Sequence, residues 1–490
     1  MPLTLAELPP DIILEIVKYP RLEDVISLLR TCSTLYALTN NRIFWISVLK
    51  IARLYTSLAC PMHADLSDPQ YDAPALKGIA MHQLKRELNW SRPVIGITKQ
   101  LVVVQLPMPF EIILIVQGTD ILLVQLHDAN ADVVLWDVAL GLPYPLPAVS
   151  TEGYIVLDTS STCESQGVCT VALLTEKQFP PFTLGNLHLI TIFHKERKAI
   201  RMECTRTRIP SEADDLQTLF LGRGIVGCSS LRPLVGADDR VLRCILCSPW
   251  TPLSLSDAAI FTMEFNMPLV EDDVLQCLSY EGHLYNMAET GEHVHLQHIS
   301  RNSAKSGRSQ RSDSWNCPIS TSYDGSARLL PFSLMFSGTP FYGVAAVFIR
   351  SNQGLDLAPD LTPTLAVTFL PCPLTYAPDD GDASPLAFLP CDTAVFEVRP
   401  FLAHMRGLVW TDNSGLNVIV GVERPDAQFG LKLIRYHAEF TQSEKATSVH
   451  DLEVPTSVDA ESLVGVALDE TSGMVLLTTD SGELVQLCYV

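Results

Sequence analysis

The chain has 490 residues, 47% of them hydrophobic and 18% charged, which describes a folded globular protein and excludes a disordered one. Its net charge is −21 and its pI about 4.9. A surface this acidic repels phosphate backbones and anionic lipid headgroups, so nucleic-acid and membrane partners are disfavoured. The opening MPLTLAELPPD has no basic start and places Glu7 and Asp11 where a secretory leader needs an apolar run. The most apolar segment, LVVVQLPMPFEIILIVQ, is broken by Gln105, two prolines and Glu111, which argues against a membrane span. The thirteen cysteines are scattered and odd in number, a pattern of reduced thiols. The expected location is intracellular, in the cytoplasm, the nucleus or both.

Residues 1 to 92 carry a helical period. Leu8, Ile12, Ile13, Ile16 and Val17 fall on one side of a short segment. Pro9 and Pro10 suit a helix start, where a missing N–H costs little, and Asp11 complements the dipole there. Pro20 ends that helix. Val25, Ile26, Leu28 and Leu29 form a second apolar cluster. Ser33 is expected to cap a third helix and Asn41 a fourth, in which Phe44, Trp45, Val48, Leu49 and Ala52 share a face. ALKGIAMHQLKRELNW predicts one more helix, ending near Trp90.

From Val94 the period becomes two. EIILIVQGTDILLVQLHDANADVVLWDV reads as three strands with turns at Gly118-Thr119-Asp120 and Ala129-Asn130-Ala131. Short strands such as GYIVLDT, LHLITIFH, VLRCILC, LNVIVGVE and ELVQLCYV recur to the end. Many short, evenly spaced strands point to a sandwich, a barrel or a propeller, and the length favours a propeller. At roughly 40–50 residues per blade the region holds six to eight blades, with seven expected. VVLWDV contains a Trp-Asp pair of the kind that ends a WD-type blade, and SYDGSARLL and TDSGELVQL resemble other blade pieces. No clean second Trp-Asp occurs, so the strand rhythm carries more weight. The strand within PVIGITKQLVVVQL is expected to complete the blade formed by the last strands, because a ring must remove its edges.

Several groups of residues carry side chains suited to metal binding or catalysis. Cys244 and Cys247 form a lone C-x-x-C on a strand, without the second pair that structural zinc needs, and read as buried thiols. His293, His295 and His298, with His283 nearby, allow a metal in principle, since 293 and 295 project to one face. No carboxylate or cysteine completes a set, and a polar strand face is the better reading. The paired carboxylates Asp379 and Asp380, and those of Glu271 to Asp273, sit in loop-like sequence. No nucleophile elbow, zinc-protease motif or phosphate loop is present. The chain is expected not to be an enzyme and to need no cofactor or metal. RNSAKSGRSQRSDS, from Arg301 to Ser314, reads as a solvated loop. Phosphate on Ser309, Ser312 or Ser314 would sit beside Arg308 and Arg311, a possible regulatory site.

The segment from Leu8 to Leu49 resembles an F-box. Leu8, Pro9 and Asp11 match its opening; Ile12, Ile13, Ile16 and Val17 its apolar first helix; Leu22, Glu23 and Asp24 its link. Leu28, Arg30 and Cys32 match its leucine–arginine–small core, Tyr36 and Leu38 its aromatic and leucine, and Trp45 its late tryptophan. Tyr19-Pro20 departs from the pattern, which usually has an aliphatic residue there. FWISVLKIARLYTSLACPMHADL, ELNW and GVALDETSGMVLLTTDSGELVQLCYV give the whole chain a looser likeness to fungal, mainly basidiomycete, F-box proteins with a C-terminal propeller-like region.

The resemblance implies a mainly β protein: an F-box at 1–50, a helical linker at 51–92 and a β-propeller-like recognition domain at 93–490, with about seven WD-like blades. It implies a substrate receptor of a Skp–cullin–F-box ubiquitin ligase, with a Skp-type adaptor, through it a cullin, and a protein target as partners. Leu8, Pro9, Ile12, Ile13, Ile16 and Leu28 would face the adaptor, while Trp45 would tie the module to its following helix. The physical reading agrees, because three short helices cannot bury all their apolar surface alone. The alternative is a propeller scaffold for protein–protein interaction with no ligase role.

Overall fold

The computed structural model describes residues 7–17, 22–55, 71–99, 102–106, 108–164, 167–179, 182–195, 197–209, 216–222, 225–233, 240–248, 259–269, 274–280, 283–290, 293–299, 313–318, 324–336, 339–351, 364–374, 392–397, 399–400, 409–411, 417–423, 429–436, 447–459 and 462–490. The chain is mainly β, with five α-helices among the described residues, all before the first strand.

Helix α1 (Pro10–Ile16) begins on a proline, and the carbonyl of Pro9 accepts the amides of Ile12 and Ile13 at 3.0 and 3.2 Å. Helix α2 (Leu22–Leu29) buries Leu22, Val25, Ile26 and Leu29, the i, i+3, i+4, i+7 stripe of one helix face. Helix α3 (Ser33–Ala37) starts at Ser33 itself. The expected serine cap is corrected: Cys32 holds the cap position and makes no side-chain cap bond. Helix α4 (Arg42–Tyr55) is capped as expected, with Asn41 Oδ1 accepting the amide of Ile43 at 2.9 Å. The boundary drawn at residue 50 falls inside this helix. Helix α5 (Ala73–Trp90) is capped by Asp72, whose carboxylate accepts the amide of Ala75 at 2.8 Å.

One core joins these helices. Ile13, Val17, Val25, Ile26, Leu29, Leu35, Phe44, Trp45, Val48 and Leu49 pack with Leu76, Ala80 and Leu84 of α5. Trp45 sits edge-on to Phe44, ring centroids 5.3 Å apart, and its indole N–H donates to the Thr39 carbonyl at 2.8 Å. The residues between Leu8 and Leu49 therefore complete their core only with α5.

The β region is built from seven sheets among the described residues, taken in chain order and antiparallel except for one strand of the sixth. Sheets 1 to 5 span 110–143, 155–208, 216–269, 274–318 and 324–397, each with four strands in sequence. Sheet 6 is made from strands of 399–452 and gains Val94–Ile95, which lies parallel to Thr447–Leu452. Sheet 7 joins three strands of 463–488 to Val102–Gln105, which pairs with Glu483–Cys488. The first strands of sheets 2, 3, 4 and 5 pack against one another in succession, and the first strand of sheet 7 packs against that of sheet 1. This succession of small sheets meeting through their first strands is propeller-like. The three strands expected between Glu111 and Val138 are Phe110–Ile115, Ile121–Leu126 and Val133–Asp137.

The cores lie between neighbouring sheets. Val116, Ile121, Leu135, Val171, Ile190 and Ile192 fill the space between sheets 1 and 2. Leu174, Leu189, Leu219 and Val226 do so between sheets 2 and 3, and Phe110, Trp136, Leu476 and Leu484 between sheets 7 and 1. Gly482 is needed at the turn before the last strand: its φ is +85°, and a Cβ there would lie 2.7 Å from the Met108 carbonyl oxygen.

Candidate functional site

The outer side of the helical module carries apolar surface that its own core does not use. Ile12 is 43% exposed on α1, Tyr36 52% on α3 and Ile43 62% on α4. Pro9 is exposed, and Leu8, Ile16 and Leu28 are half-buried. Ile13 is different. It is buried among the module's own helices and offers no surface, which removes it from the residues expected to face a partner. Its position one residue after Ile12 turns it about 100° around the helix, from the outer face to the inner. Tyr36 and Ile43 were not singled out as surface by their sequence. Tyr36 is covered only on one side, where Lys77 of α5 stands 5.0 Å from its ring centroid.

Helix α5 belongs to two cores at once. Its first half packs with α2 and α4, and its last turn enters sheets 6 and 7. Trp90 is buried there with Ile95, Leu433, Leu452, Leu477 and Tyr489. Polar side chains lock the same turn. Asn89 Nδ2 donates to the carbonyls of Gly96 and Tyr489 at 2.9 and 2.7 Å, and Arg86, fully buried, donates to the Glu470 carbonyl. Arg435 of sheet 6 holds the Glu87 carboxylate with both terminal nitrogens at 3.0 Å, while its Nε donates to Asn417 Oδ1 at 3.3 Å. Asn417 in turn donates to Glu470 at 2.7 Å. Arg86 and Arg435 both stand over the Trp90 indole, at 5.1 and 5.7 Å. Burial pushes the His82 and His450 imidazoles below their usual pKa, so both are neutral at pH 7. A bidentate ion pair, an amide clamp and a buried tryptophan within one turn leave no hinge between the helices and the sheets.

Trp136-Asp137 ends the third strand of sheet 1, with the tryptophan buried and the Asp137 carboxylate accepting from the Leu140 amide and from Lys198 of sheet 2. Trp45 does tie α4 to α5, through the shared core. Cys244 and Cys247 lie on the strand Arg240–Ser248, and His293, His295 and His298 on His293–Ile299, but their side chains are outside the described residues. Ser309 and Ser312, Asp379 and Asp380, Glu271 to Asp273, and Tyr19-Pro20 are also outside them. Ser314 lies on the strand Asp313–Pro318. Among the described residues no three metal-ligating side chains gather, no disulfide forms, and no helix is long and apolar enough to cross a membrane.

No family model matches the chain, and no curated protein matches it. The solved structures that align with it include two β-propeller domains, both at low similarity. The β-propeller domain of Nup133 from Vanderwaltozyma polyspora is 10% identical, covering 80% of this chain and 98% of that one at a TM-score of 0.34. The β-propeller domain of the Trilobed protease from Pyrococcus furiosus is 8% identical, covering 66% and 78% at a TM-score of 0.29.

Proposed function

We propose that this chain is a substrate-receptor subunit of a Skp–cullin–F-box ubiquitin ligase. The helical module docks a Skp-type adaptor, which brings a cullin, and the β region holds a protein target without catalysing a reaction. In this reading the seven sheets are seven blades of a closed ring, with Val102–Gln105 completing the last blade from the N-terminal side. The observation that carries the proposal is the split surface of α1. Ile13 and Val17 complete the inner core, yet Ile12 and Pro9 stand in solvent beside half-buried Leu8, Ile16 and Leu28. Apolar side chains left at the surface of a module whose core is already filled support a docking role toward partner helices. The rigid last turn of α5 supports the same reading, since a receptor that presents a target to a distant enzyme gains from a fixed geometry between its two ends.

The test is binding of the purified full-length chain to a recombinant Skp-type adaptor. Ile12→Asp is expected to weaken that binding by about 100-fold, because a buried anchor becomes an unpaired charge, while circular dichroism stays unchanged. No measurable adaptor binding by the wild-type chain, or undiminished binding by the variant, overturns the proposal. If the adaptor binds but recruits no cullin, the chain is a scaffold without ligase work.

A further inference from the structure

One edge of the β region does not share the charge of the rest. Lys195, Arg197, Lys198, Arg201, Arg206 and Arg208 stand within one short stretch of a chain of net charge −21; Arg197 and Lys198 pair with Asp120 and Asp137 of sheet 1 and Arg201 with Glu203, while Arg206 and Arg208 lie at the far end of the strand. The strand Lys198–Arg208 is the outer strand of sheet 2, paired on one side with Phe182–Lys195. No other described strand pairs with its far side. The outer strands of the other sheets, such as Ala259–Leu269, Asp313–Pro318 and Asp392–Glu397, carry no lysine or arginine at all. Protection against edge-to-edge pairing is needed at every edge, so it does not explain why the cations gather at one.

The pairing register shows what lies under these cations. Arg206 is opposite His188 and Arg208 opposite Asn186, and directly opposed residues share a face. That face looks toward sheet 1, since Ile190 and Ile192 of the same strand pack with Val116 and Ile121. Asn186 and His188 are both buried. His188 Nε2 lies 3.2 Å from Thr175 Oγ1, but its Nδ1 and the Asn186 amide nitrogen have no hydrogen-bond partner.

A carboxylate of the chain itself already shows how an anion sits here. Glu152 reaches across from the end of sheet 1 and grips Arg206 with both oxygens, at 2.6 and 3.1 Å. The Glu152 side chain is 60% exposed, so water and salt screen the pair and a second carboxylate can compete for Arg206. The Tyr154 ring lies between Arg206 and Lys177, at 5.8 and 5.7 Å from their charged groups. Arg208 and Lys195 carry no ion pair among the described residues.

We propose that the open edge Lys198–Arg208 takes up an extended acidic peptide of a protein partner as a fifth strand of sheet 2, with its acidic side chains received by Arg206 and Arg208 and with Glu152 displaced. The unpaired N–H and C=O groups of an edge strand supply a backbone ladder, and alternate side chains of an added strand meet the cationic face. A nucleic acid has no such ladder to offer, and the charge of the remaining surface opposes a long polyanion. The inference stands apart from any role of the helical module.

The experiment is fluorescence anisotropy of the full-length chain with a labelled peptide alternating glutamate with threonine or valine, and with its glutamine counterpart. The glutamate peptide is expected to bind saturably, and the glutamine peptide to bind at least about ten-fold more weakly. Arg208→Glu, at a residue without an ion pair to lose, should weaken binding about ten-fold at an unchanged melting temperature. Glu152→Gln should tighten it about three-fold by removing the internal competitor. Amide exchange should slow across 198–208 when the peptide is bound. Absence of saturable binding, indifference to Arg208→Glu, loss of affinity on Glu152→Gln, or equal binding of a single-stranded oligonucleotide each overturns the proposal.

Discussion

The helical module and the β region solve the burial problem in opposite ways. The module has one apolar core with almost no buried polar side chain, and it leaves Ile12, Tyr36 and Ile43 in solvent. The β region spreads its apolar cores between sheets and buries polar side chains at the seams: Arg86, Arg435, Asn417 and Glu470 under α5, Asp469 between sheets 7 and 1, His188 between sheets 1 and 2. Asp469 accepts from the amides of Gly118 and Ser472 and from the Ser472 hydroxyl, and burial still holds its pKa above the usual carboxylate range. The difference teaches that a small unit keeps nearly all its polar side chains at the surface, while both regions leave some apolar side chains exposed, Ile12 and Ile43 in one and Leu140 and Ile155 in the other. A large unit assembled from repeated sheets must satisfy polar groups where sheets meet.

Three substitutions or conditions sharpen this contrast. The largest effect is expected from Trp45→Ala, which empties the centre of the core that joins the helices. A loss of about 4 kcal/mol exceeds what so small a core can sustain. Limited proteolysis should cut the helical module of the variant while leaving the sheets resistant. Equal resistance of both regions would show that the module does not stand on that core.

The next effect is on pH. His188 titrates near 6.5 when unfolded, and burial, with the Arg206 charge adding to it, lowers it to about 4 in the fold; Glu152 opposes the shift. Between those values the unfolded chain holds the extra proton. Stability is therefore complete above pH 6.5 and falls as the pH is lowered toward 4, by on the order of 3 kcal/mol at most. Urea unfolding at pH 7 and pH 5, compared with His188→Gln, measures the share of this one imidazole; identical pH slopes would assign the loss to other groups.

The smallest effect is at the junction. Glu87→Ala leaves the Arg435 guanidinium, 2% exposed, without its carboxylate, at a cost of about 2 kcal/mol after allowance for the part of Glu87 that remains in water. Calorimetry should then show the helical and β transitions moving apart. A single transition shifted as a whole would mean that the apolar contacts of Trp90 suffice to couple them.

Much of this was legible beforehand because it depends on local period. The Leu22–Val25–Ile26–Leu29 stripe, the Asn41 cap and the strands from Phe110 to Asp137 follow from spacing that any reader of the chain can measure. The pairing of Val102–Gln105 was expected on a different ground, the need of a ring to remove its edges, and the strand does lie against Glu483–Cys488. The misses are of another kind. Ser33 had the right residue type for a cap, but the preceding turn brought Cys32 into that place. Ile13 and Ile12 look alike as letters, and only the packing of α1 sends one inward and the other out. The spacing of α5 predicts a helix but not that Arg86 and Asn89 are buried, because the carbonyls of Glu470 and Tyr489 that receive them come from the far end of the chain.

The sequence by itself determined the two periods, helical to Trp90 and two-residue beyond, since each is fixed by the geometry of a single element. It also determined where the cations gather, because six of them lie within one short stretch of chain. The tertiary structure alone decided that α5 is shared between two cores, that Glu87 meets Arg435 across 348 residues, and that Arg206 stands over His188 on an open edge. These are contacts between distant parts of the chain, and no local spacing encodes which sheet arrives beside which helix.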